Sequence, residues 1–434
     1  MNTDKLTLRL PSAKPYLHVV TSFVKTTATS FGFDRMQSMA VTLAAEEIFT
    51  HVAHFTRPDM ELEIICLRGP HYIKVEFGFQ AASLDLKAFN LTSSLSPDDP
   101  DSIDQMGLYL ASRSVDRFDF SRGPGDKVIL TLIKENTFPE ADPSHCPQIS
   151  RFSEFNVRVP DANETALFVE LVNAHYSPHD FPDFFRYPSK VAAMAQGQEC
   201  HVLAAIGPTG SIGGGLAWRW LSPQTVECYG PYLFNQGNDS TMAEALLEAC
   251  LQKLARTSCV GLIAPFAGDS VPAGYFQRLG ERSRNDINGA YACTTWFRLL
   301  AEDMGSLVWS HPDLVDFLRA EYQRLTLPRE IQPTTEVGHA DPYSVLAAQI
   351  NRFNREVQLR PILSGRDIEA NLTDHLRLLD QEGMQTVYFT IDLGHGWQAE
   401  FVPHLLAQGF RPCMVIPYAG KADLVILRLE NIRP

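Results

Sequence analysis

The chain has 434 residues, 45% of them hydrophobic and 20% charged, with a formal net charge of −14. That length implies two or three domains, and the composition excludes a disordered polyelectrolyte. With no Lys/Arg-rich stretch it also excludes a phosphate backbone as main partner. The start, MNTDKLTLRLPSAKP, lacks the apolar core of a signal peptide, and no window approaches 18 uninterrupted apolar residues. A soluble, cytoplasmic protein is therefore expected, with neither nucleic acid nor membrane as partner. The cysteines (Cys66, Cys146, Cys200, Cys228, Cys250, Cys259, Cys293 and Cys413) show no CxxC spacing. That argues against a structural zinc site and a disulfide framework.

Residues 1–136 read as a first unit. A strand at Leu6–Leu10 leads into a helix over Lys14–Phe31, with Gly32 where a helix C-cap is wanted. Asp34 is placed to N-cap a second helix. Strands Glu61–Leu67 and Tyr72–Phe79 follow, joined by the turn RGPH. A loop-rich stretch from Gln80 to Asp104 precedes a helix over Met106–Ser114 and strands Arg117–Ser121 and Lys127–Ile133. These elements make an α+β sandwich, with helices on one face of a mixed, mostly antiparallel sheet.

Residues 137–152, with Pro139, Pro143 and Pro147, read as a linker. A second unit, 153–300, opens with a strand (Phe155–Val159), a helix capped by Asp161, and a helix at Ser189–Gln196. Strands Glu199–Ile206, Gly213–Leu221 and Thr225–Leu233 lead to a helix over Thr241–Ala255. A strand (Gly261–Ala264), a helix–turn (Ala273–Gly280) and a closing strand (Gly289–Arg298) complete it. Residues 301–434 carry a helix (Pro312–Leu325), then strand Val357–Ile362, helix Asp367–Gln381, strand Thr386–Leu393, helix Ala399–Gln408, and strands Arg411–Tyr418 and Ala422–Leu429. This is a partial echo of the second unit, without a strict repeat. Asp392 and His395 follow a strand end, where they make a turn and cap the next helix.

The most informative stretch is LAAEEIFTHVAHF, Leu43–Phe55. Val41, Ala45, Ile48, Val52 and Phe55 form an apolar helical stripe, and Glu47, His51 and His54 lie on a neighbouring face. Glu47 and His51, four residues apart, meet on that face. With this stretch, residues 1–136 resemble the ATP-binding domain of bacterial anti-sigma-factor serine kinases, a branch of the GHKL ATPase superfamily, whose helix reads LALEELFTNxxxH. The resemblance implies ATP and magnesium as cofactors. It makes Glu47 the catalytic base and puts His51 at the family's magnesium-binding Asn. It places Glu76 and Gly78 of Val75-Glu76-Phe77-Gly78 at the adenine motif DxG, and Gly107 in the phosphate-cradling glycine loop. The chain departs from the family at these motifs: imidazole is a poor magnesium ligand, and one glycine of two remains. Helical spacing also permits a zinc site from Glu47, His51 and His54.

Residues 153–298 resemble the GNAT N-acetyltransferase superfamily. VRVPDANETALFVELVNAHY is like its first strand and helix, and HVLAAIGPTGSIGGGLAWRWL like its central antiparallel strands. Tyr229–Leu233 would end at a splay in the sheet. Gln236 and Gly237 then fall in the loop that holds the pyrophosphate of acetyl-coenzyme A, and Ser240 would cap the following helix. YFQRLG resembles the family's YxKxG, whose tyrosine protonates the departing thiolate. That role would fall to Tyr275, although the glycine register puts Phe276 there. Glu227 is a candidate base for the amine, and Cys228 reads as core. Residues 330–434 resemble the C-terminal half of a second such domain.

The expected fold class is thus α+β multidomain, a GHKL-type α/β sandwich followed by GNAT-like mixed-sheet domains. The resemblances imply a bacterial regulatory protein that binds a sigma factor or its antagonist, with ATP or acetyl-coenzyme A sensing and a homodimeric state. The alternatives are an active N-acetyltransferase with a nucleotide-sensing or substrate-docking N-terminal domain, and a catalytically silent scaffold.

Overall fold

The structure is a computed structural model. It describes residues 4–81, 86–92, 110–122, 127–142, 148–149, 151–234, 240–266, 274, 276–286, 289–335 and 341–430.

The first unit comprises β1 (Lys5–Pro11), α1 (Leu17–Ser30), α2 (Arg35–Phe55), β2 (Glu61–Arg68), β3 (Tyr72–Gln80), β4 (Arg117–Arg122) and β5 (Lys127–Glu135). Its sheet runs β1-β2-β3-β5-β4, and every pair is antiparallel rather than mixed. Alternation along β3 buries Ile73, Val75, Phe77 and Phe79 against Val20, Val24 and Ala28 of α1 and Ile48, Phe49 and Val52 of α2. The expected cap is present. Gln37 N–H donates to Asp34 Oδ1 at 2.8 Å and Asp34 N–H to Gln37 Oε1 at 3.1 Å, a reciprocal box that fixes where α2 begins. Gly32, at φ +91°, ends α1 as read. Residues 110–114 are helical, and the remainder of the helix expected over Met106–Ser114 lies outside the described residues.

The second unit comprises β6 (Asn156–Arg158), α3 (Ala162–His175), α4 (Pro188–Gln196), β7 (His201–Ile206), β8 (Ile212–Trp220), β9 (Thr225–Leu233), α5 (Ser240–Leu254), β10 (Gly261–Ala264), β11 (Gln277–Asp286) and β12 (Gly289–Leu299). Their order in the sheet is β11-β12-β10-β9-β8-β7-β6. All pairs are antiparallel except β9 and β10, which α5 joins as a parallel crossover. One expectation fails here. The helix–turn read over Ala273–Gly280 is strand from Gln277 onward, because β11 pairs with β12 along its whole length.

A βαβ bridge follows: β13 (Ser306–Ser310), α6 (Val315–Leu325) and β14 (Arg329–Pro333), with β13 and β14 parallel. Arg329 anchors it. Its buried guanidinium lies 2.7 Å from both Asp303 and Asp423. The third unit is β15 (Val345–Asn351), β16 (Glu356–Leu363), α7 (Ile368–Gln381), β17 (Thr386–Asp392), α8 (Phe401–Ala407), β18 (Arg411–Ile416) and β19 (Leu424–Glu430). Its order, β15-β16-β17-β19-β18 with β16 and β17 parallel, repeats that of β8-β9-β10-β12-β11. The echo in the sequence is therefore a repeated half-sheet. The two copies meet at β11 and β18, where a Cβ on Gly280 would sit 3.1 Å from Cys413 O. Ile263, Leu279 and Phe297 share one core with Leu318, Tyr322, Phe389 and Met414 across this seam.

Candidate functional site

Pairing between β9 and β10 covers only Thr225–Glu227 against Gly261–Ile263. Strand β9 runs on to Leu233 while β10 stops at Ala264, so the parallel neighbours part beyond Glu227. The splay expected ahead of Thr241 is present. On its β10 side, β9 thereby carries backbone groups that β10 does not pair.

The residues around this gap are sorted by face. Val226 and Cys228 pack toward α5 with Met242, Leu246 and Cys250. Tyr229 and Tyr232 pack toward α3 and the following loop with Phe168, Phe181 and Phe185. Strict alternation would put Tyr229 and Tyr232 on opposite faces. They share one because the β8–β9 register shifts between Gly215 and Ala217, so an extra residue is accommodated at Gly230-Pro231. Gly230 sits at φ +93°, and a Cβ there would fall 2.8 Å from Tyr232 N. Pro231 brings no N–H to this edge. Phe184 and Phe266 close on the Tyr229 ring, at centroid distances of 5.5 and 6.0 Å.

At the root of the gap, Glu227 Oε2 accepts from Arg219 Nε (3.1 Å), Arg219 Nη2 (2.9 Å) and the Tyr229 hydroxyl (2.6 Å). Burial opposes the charge, but Arg219 and Tyr229 outweigh it and hold the carboxyl below its usual range. Burial, reinforced by the same carboxylate, pushes the Tyr229 phenol up. An anion stabilised in this way is a poor proton acceptor, so the reading of Glu227 as base for an amine is corrected to a charge-holding role. Sequence reasoning singled out neither Arg219 nor Tyr229. A signal existed: Arg219 and Glu227 stand directly opposite across the β8–β9 hairpin. Cys228 is buried core, as read, and burial pushes its neighbour Cys200 up to about 12.

Of the other expected site residues, Gln236, Gly237, Tyr275 and Gly107 lie outside the described residues. Ser240 is the first residue of α5, one residue ahead of the expected helix start at Thr241. In the first unit the structure separates what the kinase resemblance grouped. Glu47 and His51 are half-buried on α2, and burial, with Glu46 beside it, raises the Glu47 carboxyl. Glu76 and Gly78 lie in the other row of β3, on the face turned away from α2, and Glu76 pairs with Lys74 at 2.8 Å. Within Val75-Glu76-Phe77-Gly78 it is Val75 and Phe77 that face the helices. Glu76 and Gly78 therefore do not join Glu47 and His51 in one adenine-to-magnesium pocket, and the donor set is wrong for magnesium. These described residues do not fit MgATP. Among the described residues no group of three or more His, Cys, Asp or Glu side chains is placed to hold a metal ion.

No protein-family profile matches this chain. No curated protein matches it either. Several solved structures resemble about a third of it. A GNAT superfamily phosphinothricin acetyltransferase from Sinorhizobium meliloti, in complex with acetyl-coenzyme A, is 15% identical over 35% of this chain and 90% of that one, with a TM-score of 0.29. Salmonella typhimurium yncA, with its cofactor acetyl-coenzyme A, is 16% identical over 35% of this chain and 96% of that one, also at 0.29. A GNAT-family acetyltransferase from Staphylococcus aureus is 12% identical over 34% and 100%, at 0.25. Nothing about activity follows from likeness at that level. Residues 156–299 form an α/β unit around one sheet in which β9 and β10 are the parallel pair among the described strands. Among the described residues no helix is long and apolar enough to cross a membrane.

Proposed function

We propose that this chain is an acetyl-coenzyme A-dependent acyltransferase whose thioester site is the β9–β10 gap, with the first unit as a regulatory, protein-binding appendage. The observation that carries the reading is the parting of β9 from β10 immediately before α5. An extended, amide-bearing arm can add to the free edge of β9 as a further strand. The N-terminal end of α5, beyond the gap, favours negative charge through its helix dipole. The described residues therefore fit acetyl-coenzyme A.

When bound, that cofactor supplies the activated acyl carbon. The chain's own residues hold the edge of β9 open, line the gap with Tyr229, Phe184 and Phe266, and exclude water. The part-buried Arg219–Glu227–Tyr229 cluster keeps the root of the gap rigid. The first unit, in this reading, takes a sigma factor or its antagonist as partner. Met36 (74% exposed) and Met39 (50%) on α2 offer an apolar contact.

Calorimetric titration and thermal shift of the full chain with acetyl-coenzyme A, coenzyme A and MgATP test this. Acetyl-coenzyme A at a hundredfold excess over its Kd should stabilise the protein by about 2.7 kcal/mol, and MgATP should not. Stabilisation by MgATP alone would reverse the assignment.

A further inference from the structure

The loop of residues 176–187, between α3 and α4, lies over the Tyr229–Tyr232 face of the gap. The Tyr176 hydroxyl accepts from Leu233 N–H at 2.7 Å and donates to Leu233 O at 3.1 Å. The Tyr232 hydroxyl donates to Asp180 O at 2.9 Å. Phe181 and Phe185 of this loop, and Tyr229 and Tyr232 beneath it, are all buried. A ligand that reaches the gap along α5 occupies the opposite face, so a second reactant has to enter on the side that the loop covers.

What holds the loop from outside belongs to the third unit. The turn between β15 and β16 presents Phe353, whose ring packs tilted against His179 at a centroid distance of 4.5 Å and lies 4.8 Å under the Arg186 guanidinium. Asn354 Oδ1 accepts from His179 Nδ1 at 2.5 Å, both residues being buried. Asn351 Nδ2 donates to the Asp183 carboxylate at 3.0 Å. Three consecutive stretches of the loop are thus gripped by one hairpin turn from a different sheet.

We propose that residues 351–355 gate the acceptor path: Phe353 and Asn354 are positioning residues that hold loop 176–187 shut and limit the acceptor to a slender primary amine. The inference rests on the acyl-transfer reading. In the step concerned, the amine nitrogen bonds to the thioester carbonyl carbon and the carbon–sulfur bond breaks. The amine's proton leaves with the coenzyme A thiol. The turn acts before that chemistry, by setting which amines reach the carbon.

The test uses the full chain as wild type, Phe353→Ala, Asn354→Ala and Phe353→Tyr. Hydrogen exchange read by mass spectrometry should quicken at least tenfold at 176–187 in both alanine variants and stay at the wild-type rate in Phe353→Tyr. Release of coenzyme A from acetyl-coenzyme A is then followed with propylamine and with benzylamine. The alanine variants should lower KM for benzylamine at least fivefold, with KM for acetyl-coenzyme A unchanged and Phe353→Tyr again like wild type. Unaltered exchange, or faster exchange with unaltered benzylamine KM, overturns the gate. If the wild type neither binds acetyl-coenzyme A nor releases coenzyme A, the acyl-transfer reading falls and takes the gate with it. The exchange comparison tells that outcome from a turn that never held the loop.

Discussion

Glu227 accepts from a guanidinium and a phenol, so its protonation is disfavoured until well below neutral pH. Glu227→Gln should therefore leave the acid limb of a pH–rate profile in place. Its cost should appear in urea denaturation, at about 1–3 kcal/mol, because Arg219 and Tyr229 lose a charged acceptor. Disappearance of the acid limb in that variant would restore Glu227 as the base. His71 makes the opposite case. It is buried in the turn between β2 and β3, with Glu135 at 3.8 Å and Glu199 at 3.4 Å, and Lys190, Arg117 and Tyr72 complete its charged surroundings. Burial, with Lys190 and Arg117 behind it, holds the imidazole down to about 4 despite Glu135. Its folded value lies below the unfolded 6.5, so the unfolded chain binds the proton first as pH falls. Stability from this group is complete above pH 6.5 and drains away between there and about 4. Glu199, raised by burial, works in the reverse direction. Urea midpoints at pH 7 and pH 5 should differ less in His71→Asn than in wild type, and an equal difference would exclude His71 as the source. In the sequence RGPH reads only as a turn. Nothing local announces that its histidine will meet Glu199 on another unit.

Among the elements, those whose own periodicity carries the information were legible. Alternation marks β2, β3 and β5, helical spacing marks α1 and α2, and Asp34 and Asp161 announce the caps that the structure contains. Elements defined by their neighbours were not. The sequence QRLGERSRND of β11 shows no apolar alternation, since it lies at a sheet edge and is held by β12 on one side and the third unit on the other. The short parallel pair β13 and β14 is recognisable only once α6 is known to bring the two together. Contacts between elements also decide stability. Asn90 Nδ2 donates to Ser344 O at 2.8 Å and its Oδ1 accepts from Leu346 N–H at 2.9 Å, in a buried setting beside Asn371. Asn90→Ala should cost about 1–3 kcal/mol in chemical denaturation, because the buried Leu346 N–H loses its acceptor and Ser344 O keeps only the Asn371 amide. A loss below 0.5 kcal/mol, roughly the noise of a neutral surface change, would show that the asparagine is not needed there.

At the scale of the molecule, the three units are welded by seams far apart in sequence. Val345, Ile362 and Leu363 of the third unit belong to the core of the first. The bridge closes the second unit against the third. The β15–β16 turn reaches loop 176–187 of the second. The expected grouping of Glu47, His51, Glu76 and Gly78 came from a motif match that leaves open which face of a strand each residue takes. One residue of register sends a side chain to the other side of the sheet, and here that places Phe77 rather than Glu76 toward α2. By itself the sequence determined most of the strands and helices in their order, β11, β13, β14 and β15 excepted, because propensity, caps and periodicity act within a few residues. Only the tertiary structure decided where β9 and β10 part, which rings line the gap, and which distant turn lies over it. Those features depend on where pairing stops and on packing between surfaces that share no local pattern.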